Sequence, residues 1–130
     1  MNNKSFGELK ELVLEWADDK DLLHSKNADR QFMKFTEEAF EFKTEMDIWN
    51  LYKEFKHTEN IEQDFSIEEV KRWKNLKLEM GDIFVTLIIL CEDLGIDPVI
   101  CLEMAYEKIS KRKGKTINGC FVKEEDLNEN

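Results

Sequence analysis

Two short acidic stretches hold the residues best placed to do chemistry in this 130-residue chain, Glu37-Glu38-Ala39-Phe40-Glu41 and Glu79-Met80-Gly81-Asp82. Acids three residues apart project from one face of a helix, so Glu38 with Glu41, and Glu79 with Asp82, form two carboxylate pairs. If the two helices pack together, the four carboxylates raise one another's pKa unless a cation offsets them. Oxygen ligands on rigid helices suit Mg²⁺, with Mn²⁺ as a substitute. These hard ions bind through a few carboxylates, keep waters and take phosphate oxygens as further ligands. A solvated helix face is the ordinary explanation of such acids. Glu79 and Asp82 differ from that case because they directly precede the most apolar run of the chain, Ile83 to Cys91.

Other residue types give weaker signals. Lys108, Lys111, Arg112, Lys113 and Lys115 form a basic run in an otherwise acidic chain. They read either as cations complementing a helix C-terminus or as a clamp for phosphates. Glu54-Phe55-Lys56-His57 has the Glu-x-x-His form of di-iron bundles, which need two such motifs, and this chain has one. Cys91, Cys101 and Cys120 are odd in number and lack C-x-x-C spacing, which predicts neither disulfides nor zinc. A reducing cytoplasm is the expected location.

The elements that must position these groups read as helices. Ser5-Phe6-Gly7-Glu8 is a capping box that opens a first helix, with Leu9, Leu12, Val13, Trp16 and Leu23 as its apolar stripe. Asn27 is the expected cap of a second helix, whose apolar face is Phe32, Phe35, Ala39, Phe42, Met46 and Trp49, running to about His57. Gln31, Lys34, Glu38, Glu41 and Glu45 form a second stripe at the margin of that face. Thr58 to Phe65 reads as a connection, and Ser66-Ile67-Glu68-Glu69 as a capping box opening a third helix that stops at Gly95. Asp97-Pro98 starts a fourth, ending near Gly114. Asn118-Gly119 between apolar residues predicts a small hairpin or lid, and 124–130 a solvated tail. From Glu38/Glu41 to the end of the second helix is roughly 26 Å, and from the start of the third to Glu79/Asp82 roughly 20 Å. An antiparallel pairing therefore brings the acids to similar heights.

Composition agrees with one all-α domain over 1–130, given one Pro, five Gly and 37% charged residues. The apolar run at 83–91 is too short to span a bilayer, and nothing at the N-terminus reads as a signal peptide. A net charge of -10 argues against general nucleic-acid binding and against an anionic membrane surface.

The E-E-x-x-E stretch at Glu37 to Glu41, followed by E-x-x-D at Glu79 to Asp82, resembles the signature of the MazG-like, all-α nucleoside triphosphate pyrophosphohydrolases. Gly81 before Asp82, Gln31-x-x-Lys34 before the first stretch and the Lys108 to Gly114 exit are similar too. The likeness covers about residues 28–123. It implies a four-helix bundle completed by oligomerisation as a homodimer or homotetramer. It also implies Mg²⁺ on Glu38, Glu41, Glu79 and Asp82, with Glu37 assisting at the attacking water. Gln31, Lys34, Lys108, Lys111 and Arg112 would bind substrate. The implied reaction is water attack on the α-phosphorus of a nucleoside triphosphate, giving a monophosphate and pyrophosphate. A dUTPase-like deoxynucleotide hydrolase and a non-catalytic acidic interaction module are the alternatives. The interval between the motifs is longer than in compact members, and Tyr106-Glu107 stand where many members carry an Asn.

Overall fold

A computed structural model describes residues 3–58 and 66–127, and the described residues are mostly helical. The contacts group into two compact units, Met1–Gly95 and Ile96–Asn130.

In the first unit α1 spans Phe6–Asp19. Its start is the expected capping box: the Glu8 N–H donates to Ser5 Oγ and the Ser5 N–H to Glu8 Oε2, both at 3.1 Å. The helix stops four residues short of Leu23. Acids at Asp18, Asp19 and Asp21 oppose the negative end of the helix dipole, and Asp21 turns into the left-handed region at φ 57°. The Leu22 N–H then reaches the Ala17 carbonyl and the Asp21 N–H that of Asp18, the paired bonds of a Schellman closure. Ser25–Asn27 form one 3₁₀ turn. Asn27 does not cap the next helix as expected; it is buried and its Nδ2 donates back to the Leu22 carbonyl at 3.0 Å.

Two long helices carry the unit, α2 over Ala28–Thr58 and α3 over Ser66–Leu94. Trp49 meets Trp73 while Glu41 lies near Glu79, so numbers rise along one helix as they fall along the other and the pair is antiparallel. The connection at 59–65 and the side chains of His57 and Ser66 lie outside the described residues. Among the described residues Ala17, Ile88 and Ile89 are the buried apolar ones, joined by buried Asn27, Gln31, Glu38, Thr86 and Asp93. Burial pushes the Asp93 carboxyl upward, tempered by the backbone and charge of His24. Gly95, at φ 74°, ends α3.

In the second unit α4 covers Pro98–Ser110, with Asp97 Oδ1 accepting from the Val99 N–H at 2.8 Å. Strands β1 (Gly114–Ile117) and β2 (Cys120–Lys123) pair antiparallel, Ile117 opposite Cys120 and Gly114 opposite Lys123. Asn118 and Gly119 both have positive φ, as a two-residue hairpin turn that follows the strand twist requires. A Cβ at Gly114 would lie 2.1 Å from the Val122 carbonyl oxygen, so only glycine fits there. The expected tail is partly structured: Glu124–Leu127 form a short helix, α5, whose Glu124 N–H donates to the Lys113 carbonyl at 2.7 Å. None of the described residues forms a helix long and apolar enough to cross a membrane.

Candidate metal centre and the cavity beside it

The helical period of α2 puts Gln31, Lys34, Glu38, Glu41 and Glu45 on one stripe, and the antiparallel α3 lays Glu79 against it. One carboxylate oxygen from each of Glu38, Glu41 and Glu79 lies within 4.8 Å of the others. Glu38 is only 7% exposed. One of its oxygens takes the Lys34 ammonium at 3.2 Å, while Oε2 is buried without a hydrogen-bond partner among the described residues, as is Glu79 Oε2.

Charge accounts for the proton affinities. Glu41 is raised above the ordinary carboxylate range first by a hydrogen bond with the Glu38 carboxylate, then by its charge, with smaller contributions from burial, Glu79 and Glu37. Glu79 is raised by burial first, then by Asp82, Glu38 and Glu45. Lys34 is raised chiefly by its bond to Glu38. The cluster thus holds more negative charge than its surroundings balance, and a proton or cation relieves it.

Three of the four expected ligands therefore come together. Asp82 is exposed and stands outside that oxygen set, although its charge acts on Glu79 and it shares a cavity with Glu38. Glu37 faces elsewhere. It is exposed, pairs with Lys34 at 3.4 Å and borders a separate depression with Met33 and Phe40. Lys108 and Arg112 belong to the second unit, where they line a depression of about 480 Å³ with Lys113, Lys123, Glu124 and Glu125; Lys111 caps the C-terminus of α4.

Beside the cluster, between α1, the 3₁₀ turn, α2 and α3, is a cavity of about 570 Å³. Trp16, Leu22, Val85 and Ile89 give it apolar walls, and Asn27, Gln31 and Thr86 give polar ones. Glu38 and Asp82 border it, which makes it continuous with the acidic cluster. Trp16, Asn27, Thr86 and the neighbouring Glu45 did not stand out in the sequence as site residues. Glu45 had a signal, one turn beyond Glu41 on the same stripe, whereas Trp16 read as part of a core stripe.

Compared with known proteins, the chain matches no family model, no curated protein and no solved structure. What fold and site define is thus a class: an all-α protein whose two longest helices form a hairpin with a carboxylate cluster on one side, opening into a mixed polar and apolar cavity.

Proposed function

We propose that this protein is a Mg²⁺-dependent nucleoside triphosphate pyrophosphohydrolase of the MazG-like four-helix kind. In the reaction, water adds to the α-phosphorus as the bond to the bridging oxygen breaks; a monophosphate leaves on one side and pyrophosphate on the other. The observation that carries the reading is the trio Glu38, Glu41 and Glu79, with two buried oxygens lacking partners among the described residues, beside a cavity of nucleotide dimensions.

Those three carboxylates would hold the cation, and Asp82, one turn along α3 from Glu79, is a fourth within the same field. Bound Mg²⁺ or Mn²⁺ supplies electrophilic stabilisation of phosphate charge and lowers the pKa of water. Lys34 steadies Glu38 and spans it with Glu37. The family likeness gives Glu37 the role of proton acceptor for the attacking water, and its place on the adjoining depression, paired with Lys34, speaks against that role; unchanged turnover in Glu37→Gln removes it. Exposed Phe32, Met33, Phe40, Leu102 and Met104 support the further proposal of a homodimer or homotetramer, because a chain with so little buried apolar area needs more cover. Light scattering that shows a stable monomer overturns that part.

Pyrophosphate release from a panel of ribo- and deoxynucleoside triphosphates, with and without Mg²⁺, tests the whole. Metal-dependent release is expected. Release confined to dUTP or another single deoxynucleotide selects the narrower hydrolase, and no release from any nucleotide selects an acidic interaction module.

A further inference from the structure

We propose that Asp93 and His24 form a pH-sensitive latch that pins the α1–α2 connector, and with it one wall of the cavity, to the C-terminal end of α3. The latch lies outside the acidic cluster and holds whether or not the cavity takes a nucleotide.

Asp93 is the penultimate residue of α3 and is 7% exposed. Both of its carboxylate oxygens are buried, and neither completes a hydrogen bond among the described residues. A carboxylate removed from water in this way is unfavourable unless a donor or a cation compensates it. What acts on it is His24, through its backbone and through the charge of its imidazole; among the described residues no charged group of α1, α2 or α3 does so. His24 is exposed, sits in extended backbone just before the 3₁₀ turn, and does not cap that turn with its side chain. A buried acid on one element is thus compensated by an ionisable group on another that exchanges its proton freely with water.

The connector's own hydrogen bonds do not fasten it to α3. The Leu22 N–H reaches the Ala17 carbonyl at 2.9 Å, Asn27 Nδ2 returns to the Leu22 carbonyl at 3.0 Å, and the Asn27 N–H donates to the His24 carbonyl at 2.9 Å. All three bonds are internal to residues 17–27 and shape the segment without anchoring it. Thr86, Ile89 and Asp93 follow one another at steps of three and four along the buried face of α3. The first two line the cavity together with Leu22 and Asn27 of the connector, and Asp93 lies one turn further on. The latch therefore holds the edge of the cavity at which the connector meets α3.

Acid should tighten this latch and alkali loosen it. The hold given by Asp93 is complete below its ordinary value near 3.8 and is lost as pH rises through its raised value, burial being the cause of that rise. Histidine changes charge between about pH 5 and 8. While the imidazole is cationic it offsets the buried anion. Once neutral it leaves that anion uncompensated, and the connector separates from α3 more often.

Hydrogen exchange of the full, metal-free chain tests the latch, read as protection factors so that the intrinsic pH dependence of exchange is removed. From about pH 5 to about pH 8 the protection of the Leu22 and Asn27 amides should fall about tenfold, while amides of α2 around Trp49 should change much less. Asp93→Asn, which keeps the shape and removes the charge, should abolish the fall and keep protection in alkali at its acid level. His24→Gln should lower protection in mild acid and, in an Asp93→Asn background, should change nothing. Circular dichroism shows whether Asp93→Asn folds; if it does not, His24→Gln on the exposed connector still reads the latch. Equal protection at both ends of the range in the unaltered chain overturns the proposal, as does a fall that survives Asp93→Asn or one that the amides around Trp49 share in full. Effects of the two substitutions that simply add would overturn it as well, since a latch requires each residue to act through the other.

Discussion

Around Trp49 the α2–α3 hairpin is joined by rings: Trp49 packs on Trp73 at 5.3 Å and near Tyr52 at 6.1 Å, Lys53 Nζ sits 5.9 Å from the Trp49 ring, and Arg72 lies 5.5 Å from that of Tyr52. About two turns away, around Glu41, the same helices meet through carboxylates that repel one another. Neutral and cationic partners of aromatic faces attract without needing a ligand. Clustered acids repel one another across the helix pair, and the Lys34 ammonium at Glu38 offsets only part of that charge. The aromatic level therefore fixes the register in which the acidic level is held under charge strain, a division between attraction and repulsion within one hairpin.

The largest effect that separates the two levels should come from Trp49→Ala. Losing this ring should cost about 3 kcal/mol in urea unfolding, somewhat below or near the usual range for a buried aromatic because its pocket is partly open. A cost under about 1 kcal/mol would show that the register is held elsewhere. At the other level, Glu79→Gln should lower Mg²⁺-dependent pyrophosphate release by on the order of a hundredfold. The same substitution should raise the melting temperature of the metal-free chain, because it removes a half-buried charge from among like charges; a clear fall would break the contrast.

A smaller effect is pH-dependent. A carboxyl whose pKa is raised on folding keeps its proton in the folded chain where the unfolded chain has lost it. Glu41 and Glu79 are both raised from an ordinary value near 4.5, so the stability they contribute to the metal-free chain should be fully present below that pH and be lost as pH rises through their raised values. Thermal melts across this range should show the decline, and Mg²⁺ should flatten it. The decline due to Asp93, raised by burial away from the cluster, should persist with Mg²⁺ present. An identical slope with and without Mg²⁺ would detach the metal from the acids. The smallest effect is expected from Lys53→Ala, about 0.5 kcal/mol in the same unfolding assay, as for an exposed cation over a ring.

Much of this arrangement was legible in the chain because the helical period is rigid. The spacing of Glu38, Glu41 and Glu45 fixed their common stripe, and matching heights on two long helices predicted that Glu79 would meet them. The Asn118-Gly119 turn and the Ser5 and Asp97 caps are local chemistry and formed as read. What was not legible depends on contacts far apart in sequence. Trp16 counted as core because its period fits a stripe, yet the early end of α1 and the returning Leu22 leave it on a cavity wall. Asn27 had the composition of a cap and instead ties down that returning segment. Glu37 adjoins Glu38 in sequence, but one residue is about 100° of helix, enough to place it on another depression.

Lys34 gives the cluster a property of its own. Its ammonium, tethered 3.2 Å from Glu38 and 3.4 Å from Glu37, gives the site a built-in counter-charge. On the proposed metal reading, a divalent ion arriving at Glu38 would compete with a resident monovalent charge that cannot diffuse away, and on its departure that charge would return within a side-chain rotation.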